Sequence, residues 1–391
     1  MNGPLYWETL RNGLAFCKHD QNRSMSVGSR KAVRCGLGFN IKVLAYCGAE
    51  PQALKKLEKC EKVDYIKHKP PSKKGYNMIS DIIKEKDGFS MLNDQIAICR
   101  GDCLHKLAAI TDNSVDCVIT DPPYFIDNMG NNWNVAALNK SAEKASIIGS
   151  LPVGMKFDPQ QGKDLQIFMT KVSTEVYRIL KPGGFYISFS QGRLYHRMAV
   201  AIEDCGFEIR DMLVWKREGQ AKAFSQNHFV RKMKMTEKEK ENLIKSLGGR
   251  KTPQLKGQSE PMVLAQKPKD GTFINNWVKY QVGLIDTTAS LDGKFPGTVM
   301  EVEKPKGKER QESDHMTMKP VALMEHLIKI FSCEGAVICD PFLGSGSTGV
   351  ACINTNRQFI GIELDDGYYQ QSENRLISHL PKKTKNNKED C

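Results

Sequence analysis

A mostly parallel α/β sheet with helices on both faces is the fold class this chain predicts, and three observations carry it. Apolar runs of strand length alternate with stretches of helical length across 95–215 and again across 316–380, which is the pattern of strand–helix–strand units. Two of those runs end in a carboxylate followed by proline, Asp121-Pro122 and Asp340-Pro341. The second continues into Gly344-Ser345-Gly346 and then another apolar segment, a strand, glycine turn and helix in succession.

Taken in chain order, residues 1–94 match no pattern and read as an accessory segment, with Lys69-Pro70-Pro71-Ser72-Lys73-Lys74 near its end. The alternation of 95–215 predicts strand 95–100, helix 104–110 and strand 115–120. After a variable loop come helix 164–180, strand 185–190, helix 193–205 and strand 207–215. Residues 216–314 lose clear periodicity and hold 20 Lys and Arg against 13 Asp and Glu, a local charge of +7. Within them 236–247, rich in Glu and Lys, reads as an exposed helix. The alternation resumes over 315–381 with helix 321–331, strands 337–339 and 358–362 and a closing helix, so both halves belong to one sheet. The charged tail 382–391 is expected to be disordered.

Asp121-Pro122-Pro123-Tyr124 places a carboxylate, a rigid turn and an aromatic ring at the carboxyl end of a strand. An amino group conjugated to a heterocycle is a poor nucleophile, so an enzyme that alkylates it must accept its N–H hydrogens and hold its ring still. Asp121 and a proline carbonyl can accept, and Tyr124 can stack. Proline has no N–H and a fixed φ, so its carbonyl can point outward without local backbone competition. In the second motif Gly344 and Gly346 permit positive φ, and the N–H groups of the new helix, with Ser347 and Thr348, can receive an anion. The next strand ends in Glu363, where an acidic side chain commonly holds ribose hydroxyls. The spacing from this glycine turn to Glu363 fits a nucleoside-bearing cofactor.

These elements resemble the amino-group DNA methyltransferases that use S-adenosylmethionine, in the β-type order with D-P-P-Y ahead of D-P-F-x-G-S-G. Further pieces match in order: Gly101-Asp102-Cys103-Leu104, Lys181-Pro182-Gly183-Gly184, Ser259-Glu260-Pro261 leading into Leu264-Ala265-Gln266-Lys267-Pro268, and Thr317-Met318-Lys319-Pro320. The resemblance implies a Rossmann-like methyltransferase sheet, with 216–314 as an inserted target-recognition region. It also implies Glu363 on the ribose, Asp102 near the adenine, Phe342 against that ring, and Thr317 and Lys319 with the turn 344–348 around the methionine end. Asp340 heads this cofactor set. Ser347 stands where threonine is frequent, and Met316 and Met318 replace more usual polar residues.

At 391 residues and 40% hydrophobic residues the chain has material for a large core. No apolar run approaches the roughly 20 residues that span a bilayer, and no signal-type segment opens the sequence. The expectation is a soluble cytoplasmic protein of a bacterium or phage. A net charge of +12 favours a polyanionic partner. Arg231, Lys232 and Lys234, and the stretch Lys304, Lys306, Lys308 and Arg310, are candidate phosphate contacts. Asn227, His228, Gln254 and Gln258 are candidates for reading base edges.

The 12 cysteines include no Cys-x-x-Cys. Cys17, His19, Cys35, Cys47 and Cys60 follow no zinc spacing, so no metal is expected. Cys117, Cys339 and Cys352 read as core. The absence of any Pro-Cys dipeptide argues against transfer to cytosine C5, which needs a thiolate nucleophile.

The sequence therefore predicts methylation of adenine N6 in double-stranded DNA, the base being swung out of the stack. Cytosine N4 is the alternative, and a catalytically inactive DNA-binding module the reading from another class. A second copy of the chain and a cognate restriction endonuclease are the protein partners left open.

Overall fold

The computed structural model describes residues 7–10, 14–17, 78–84, 88–123, 159–219, 223–289, 293–315 and 317–381. The chain divides into two compact units, 1–72 and 73–391. Among the described residues, the first unit contains an antiparallel ribbon of β1 (Trp7–Leu10) and β2 (Leu14–Cys17), with Trp7 opposite Cys17.

The first compact unit ends at 72, short of residue 94, where the sequence bounds its accessory segment. Residues 79–91 belong to the second unit, where α1 (Ile79–Ile82) buries Ile79 and Ile82 and β3 (Phe89–Met91) pairs antiparallel with β4 (Ile96–Arg100). One turn of helix and a three-residue strand are too short to show a period, which is why the pattern missed them.

Among its described residues the second unit is built on a nine-stranded sheet. From one edge it runs β3, β4, β11 (Gln358–Glu363), β10 (Val337–Asp340), β5 (Val115–Thr120) and β6 (Leu180–Phe189). It continues with β8 (Ser259–Gln266), β7 (Glu208–Lys216) and β9 (Val299–Glu301). The block β4–β11–β10–β5–β6 is parallel throughout.

Strands buried on both faces alternate between two cores. Ala97, Cys99, Val118, Cys339 and Ile360 face one core with α2 (Cys103–Ala108), α3 (Pro159–Ile179) and α4 (Tyr195–Glu203). Ile96, Ile98, Cys117, Ile119 and Ile338 face the other. That second face is covered by α9 (Val321–Phe331), α10 (Ser347–Asn354) and α11 (Asp366–His379). Cys117, Cys339 and Cys352 are core residues, and burial pushes their thiols upward. Of the zinc candidates, Cys17 lies in β2, while His19, Cys35, Cys47 and Cys60 lie outside the described residues.

Residues 216–314 are not one insert. β8 lies inside that stretch, yet it is an interior strand between β6 and β7, antiparallel to both, with Pro261 to Gln266 buried. Its reversed direction matters for the site, because it brings the start of β8 to the edge where the parallel strands end. The same stretch also holds α5 (Asn227–Arg231), α6 (Glu237–Leu247), α7 (Phe273–Tyr280) and α8 (Gly307–Gln311). The exposed helix expected at 236–247 is α6. It has no buried residue and opens on a capping box in which Thr236 and Glu239 bond each other's backbone N–H.

Candidate active site

The chain moves outward in opposite directions from the neighbouring strands β10 and β5, toward β11 on one side and β6 on the other. In open α/β sheets a crevice forms outside the carboxyl ends at such a point. Asp121 follows β5 there, Asp340 closes β10 and Glu363 closes β11.

Asp340 holds the two motifs together. Its Oδ1 accepts the Thr120 hydroxyl at 2.6 Å and the Phe342 N–H at 3.1 Å, and its Oδ2 accepts the Thr348 hydroxyl at 2.6 Å. These bonds tie the residue before Asp121 to the helix after the glycine turn. Asp340 and Thr348 had been expected to face the cofactor, whereas the structure turns both inward as this bracket.

Burial pushes the Asp340 carboxyl up to about 7, against the donors around it. A carboxyl whose folded pKa is raised gives stability that is complete below about pH 4 and lost as the pH climbs through about 7. Asp340→Asn, which cannot ionise, should therefore compare least well with the wild type at about pH 4. The gap in melting temperature should narrow by pH 8, and a gap that is constant or widens would contradict this account.

In the glycine turn, Gly344 and Gly346 have φ of +52° and +76°. A Cβ on Gly344 would come 3.3 Å from His315 Nε2, and one on Gly346 would come 3.3 Å from Ser372 Cβ. The Gly344 N–H donates to Glu363 Oε2 at 2.8 Å, and the Asp365 N–H donates to Oε1 at 2.9 Å. Burial nonetheless raises the Glu363 carboxyl above its usual range. Asp102 is exposed beside this edge and caps α2 by accepting the Leu104 N–H at 2.8 Å, while Gly101 N–H donates to the Glu363 carbonyl. Half-buried Phe342 meets Phe168 at a centroid distance of 6.0 Å.

Ser347 also turns inward, donating to the Lys319 carbonyl at 2.7 Å. Buried Arg375 holds the Ser345 carbonyl at 2.9 Å and Ser347 Oγ at 3.1 Å. The hydroxyls of Ser347 and Thr348, expected to receive an anion, thus serve the protein's own frame.

Lys319 departs furthest from expectation. The Thr-x-Lys-Pro resemblance places it at the methionine end of a cofactor, but its ammonium is buried and donates to Asp121 Oδ2. Glu260 Oε1 lies 3.1 Å from the same nitrogen, the Thr317 carbonyl 3.4 Å, and the centroid of the Phe189 ring 5.0 Å. Burial opposes the charge on Lys319, but the carboxylates of Asp121 and Glu260 outweigh it and hold the ammonium above its ordinary value. On its other oxygen, Glu260 accepts from Arg217 Nε at 3.2 Å. Exposed Thr317 meets His315 Nδ1 through its hydroxyl at 3.4 Å.

His315, Glu260, Arg217 and Arg375 were not assigned to the site from sequence. His315 stands against Tyr368, with ring centroids 4.6 Å apart. Burial, with the charges of Lys319 and Arg310, brings its pKa down to about 4, so it is neutral near pH 7. Pro122 and Pro123 continue from Asp121 as expected, Pro122 buried and Pro123 half-buried. Tyr124 lies outside the described residues, as do Met316 and the variable loop.

The basic candidates divide. Arg231, Lys232 and Lys234 are exposed, and none forms an ion pair among the described residues. Lys304 and Lys308 are also exposed, but Lys306 is paired with Glu303 at 2.9 Å and Arg310 donates to the Ser313 carbonyl. The latter two are therefore partly spent within the protein.

A doubly wound sheet with a carboxylate, a glycine turn and a further acidic strand end gathered at its switch point defines a Rossmann-like α/β enzyme. The family model described as DNA methylase, of the N6 and N4 methyltransferases, matches residues 115–374, and the chain belongs to that family. It is 28% identical over 297 residues to the type II methyltransferase M.HindIII of Haemophilus influenzae, covering 71% of this chain and 94% of that protein. It is 25% identical over 291 residues to the type II methyltransferase M.HpaI of Haemophilus parainfluenzae, covering 73% and 76%. Among solved structures, the M1.HpyAVI–SAM complex aligns at 21% identity and a TM-score of 0.45, covering 72% of this chain and 98% of that one. The PvuII cytosine-N4-specific DNA methyltransferase aligns at 16% and 0.46, covering 72% and 86%.

Proposed function

We propose that this DNA methyltransferase transfers a methyl group from S-adenosylmethionine to the N6 amino group of adenine at specific sites in double-stranded DNA. The observation that carries the reading is Asp121, an acceptor held beside a buried ammonium at the sheet's switch point, next to the glycine turn. The D-P-P-Y form supports adenine over cytosine N4, and the type II designation of the two relatives supports site specificity.

The residues present suit the cofactor. The positive-φ glycines shape an indentation, Glu363 offers a half-buried carboxylate for ribose hydroxyls, and half-buried Phe342 offers an apolar face. Asp102, exposed at the same edge, suits the adenine, and exposed Thr317 suits the methionine end. When bound, S-adenosylmethionine supplies an electrophilic methyl group.

Reaching a base inside a duplex requires swinging it out of the stack. Asp121 and the Pro122 carbonyl then accept the hydrogens of its amino group and fix the nitrogen for in-line attack, and Tyr124 stacks on the ring. As positive charge grows on the nitrogen, the Asp121 carboxylate stabilises it, so orientation and electrostatics supply most of the effect. Asp121 need not be a strong base, because the methylated nitrogen sheds its proton readily.

DNA recognition falls to the parts of 216–314 outside the sheet. Among the described residues His228 Nε2 and Gln254 Oε1 are buried with no hydrogen-bond partner, which suits a rearrangement onto base edges. Removing Arg231, Lys232 and Lys234 together should weaken DNA binding and flatten its salt dependence, each phosphate contact contributing a slope of about −0.9 in log affinity against log salt. Turnover at saturating DNA should change less than affinity, because phosphate contacts act before and during transfer alike. An unchanged salt slope in the folded triple variant would move the DNA track elsewhere.

Methylation-aware sequencing of DNA from a host expressing the protein tests the whole reading. N6-methyladenine in one sequence context is expected; N4-methylcytosine would select the other member of the family, and no modification would refute the activity.

A further inference from the structure

Four charges of alternating sign form a chain at the carboxyl edge of the sheet: Arg217, Glu260, Lys319 and Asp121. Arg217 Nε lies 3.2 Å from Glu260 Oε2, Glu260 Oε1 lies 3.1 Å from Lys319 Nζ, and Lys319 donates to Asp121. The order follows from the topology. β8 is antiparallel to β6 and β7, so its second residue, Glu260, arrives where β5 and β7 end. Lys319 comes from the segment just before α9 and bridges the two carboxylates.

An ammonium has three protons to donate. Those of Lys319 are met by Asp121, Glu260 and the Thr317 carbonyl, and the Phe189 ring lies 5.0 Å away, so the nitrogen is fixed in place. A buried lysine paired with a single carboxylate can settle into a neutral state by passing its proton across, since burial penalises both charges. For Asp121 that outcome would be fatal to the proposed reaction, because a protonated carboxyl has lost much of its power to accept an amino hydrogen or to stabilise cationic nitrogen. A second carboxylate on the same ammonium removes the danger, as its negative charge holds the proton on Lys319.

We propose that Glu260 is a positioning residue for methyl transfer, acting through Lys319 to keep Asp121 ionised and in one orientation. This inference rests on Asp121 being the acceptor of the target amino group. Glu260 reaches Asp121 only through Lys319, so its contribution should appear in the chemical step and not in ligand affinity. The charge of Glu260 is the essential feature, not its volume.

The test compares Glu260→Gln with Glu260→Asp in the full-length enzyme, using a DNA duplex that carries the site identified by sequencing. Glu260→Gln keeps an acceptor oxygen and the size of the side chain but loses the charge. It should lower kcat by about tenfold or more, with KM for DNA and calorimetric affinity for S-adenosylmethionine within about threefold. Glu260→Asp should recover most of the lost kcat. An unchanged kcat in Glu260→Gln, an equal loss in both variants, or a loss confined to cofactor affinity would each overturn the proposal.

Should Glu260→Gln fail to fold, the pair Glu260→Leu with Lys319→Met removes both charges together, an exchange that buried ion pairs often tolerate. Cofactor affinity should then persist while kcat falls; a fully active double variant would equally overturn the role. Asp121→Asn separates the two levels of the argument. If that variant retains full turnover, the assignment of Asp121 fails by itself, whatever Glu260 does.

Discussion

Asp121→Ala is expected to lower methyl transfer by at least about 10²–10³-fold, the scale of loss when one preorganised polar group is removed from a reacting centre. Affinity for S-adenosylmethionine should stay within a few-fold, because the glycine turn and Glu363 do not touch Asp121 in any bond described above. Folding should survive as well, since Lys319 keeps Glu260 as a counter-charge at 3.1 Å. Asp121→Ser is the sharper variant: its hydroxyl can accept one hydrogen bond, so a fraction of the activity should return. Single-turnover transfer to a duplex with calorimetry of the cofactor measures both quantities. Full activity in Asp121→Ala would sink the mechanism, and equal loss of cofactor binding would place Asp121 in the cofactor site instead.

Gly346→Val should abolish cofactor binding by distorting the turn. At φ +76° a β-branched side chain is strained by ~1–2 kcal/mol. Its Cβ would also press to 3.3 Å from Ser372 Cβ and 3.6 Å from Ser372 Cα on α11, where backbone cannot yield as a flexible side chain would. Overpacking of this kind costs a further ~1–3 kcal/mol. The added methyls face the closing helix, so the reason for glycine here is not the direct approach of a ligand that the sequence suggested. Binding is lost because Gly344, Ser347 and Arg375 can no longer hold their places. A lower melting temperature with no calorimetric binding signal is expected; normal binding at an unchanged melting temperature would make Gly346 an ordinary packing position.

Much of the fold was legible because its strands and helices have clear periods. Helix 321–331 and strand 115–120 have their expected bounds, and strand 358–362 is extended only by Glu363. The strand expected at 185–190 begins earlier, at Leu180, because Lys181-Pro182-Gly183-Gly184 does not interrupt it; a break in register between Val115 and Cys117 absorbs the extra residues. That accommodation depends on pairing with β5, which no local signal reports. The sequence marks Ser259-Glu260-Pro261 and Leu264-Ala265-Gln266 only as motif pieces within 216–314, whereas the structure makes them the interior strand β8, because an apolar run reports burial and not its neighbour in the sheet.

By itself the sequence determined the alternating α/β architecture, the two carboxylate-proline strand ends, the glycine turn and the family they resemble. Those features are local: a period of two or 3.6, a residue that needs positive φ, a proline that cannot donate. Tertiary structure alone decided what the charged and hydroxyl groups do, because each has several partners it could serve. Ser347, Thr348 and Asp340 became a frame joining the two motifs. Lys319 went to Asp121, and Glu260 joined them only because an antiparallel strand carries its beginning to the edge where the parallel strands end. A buried charge takes whichever counter-charge the packing brings within reach, and the packing is a property of the whole sheet.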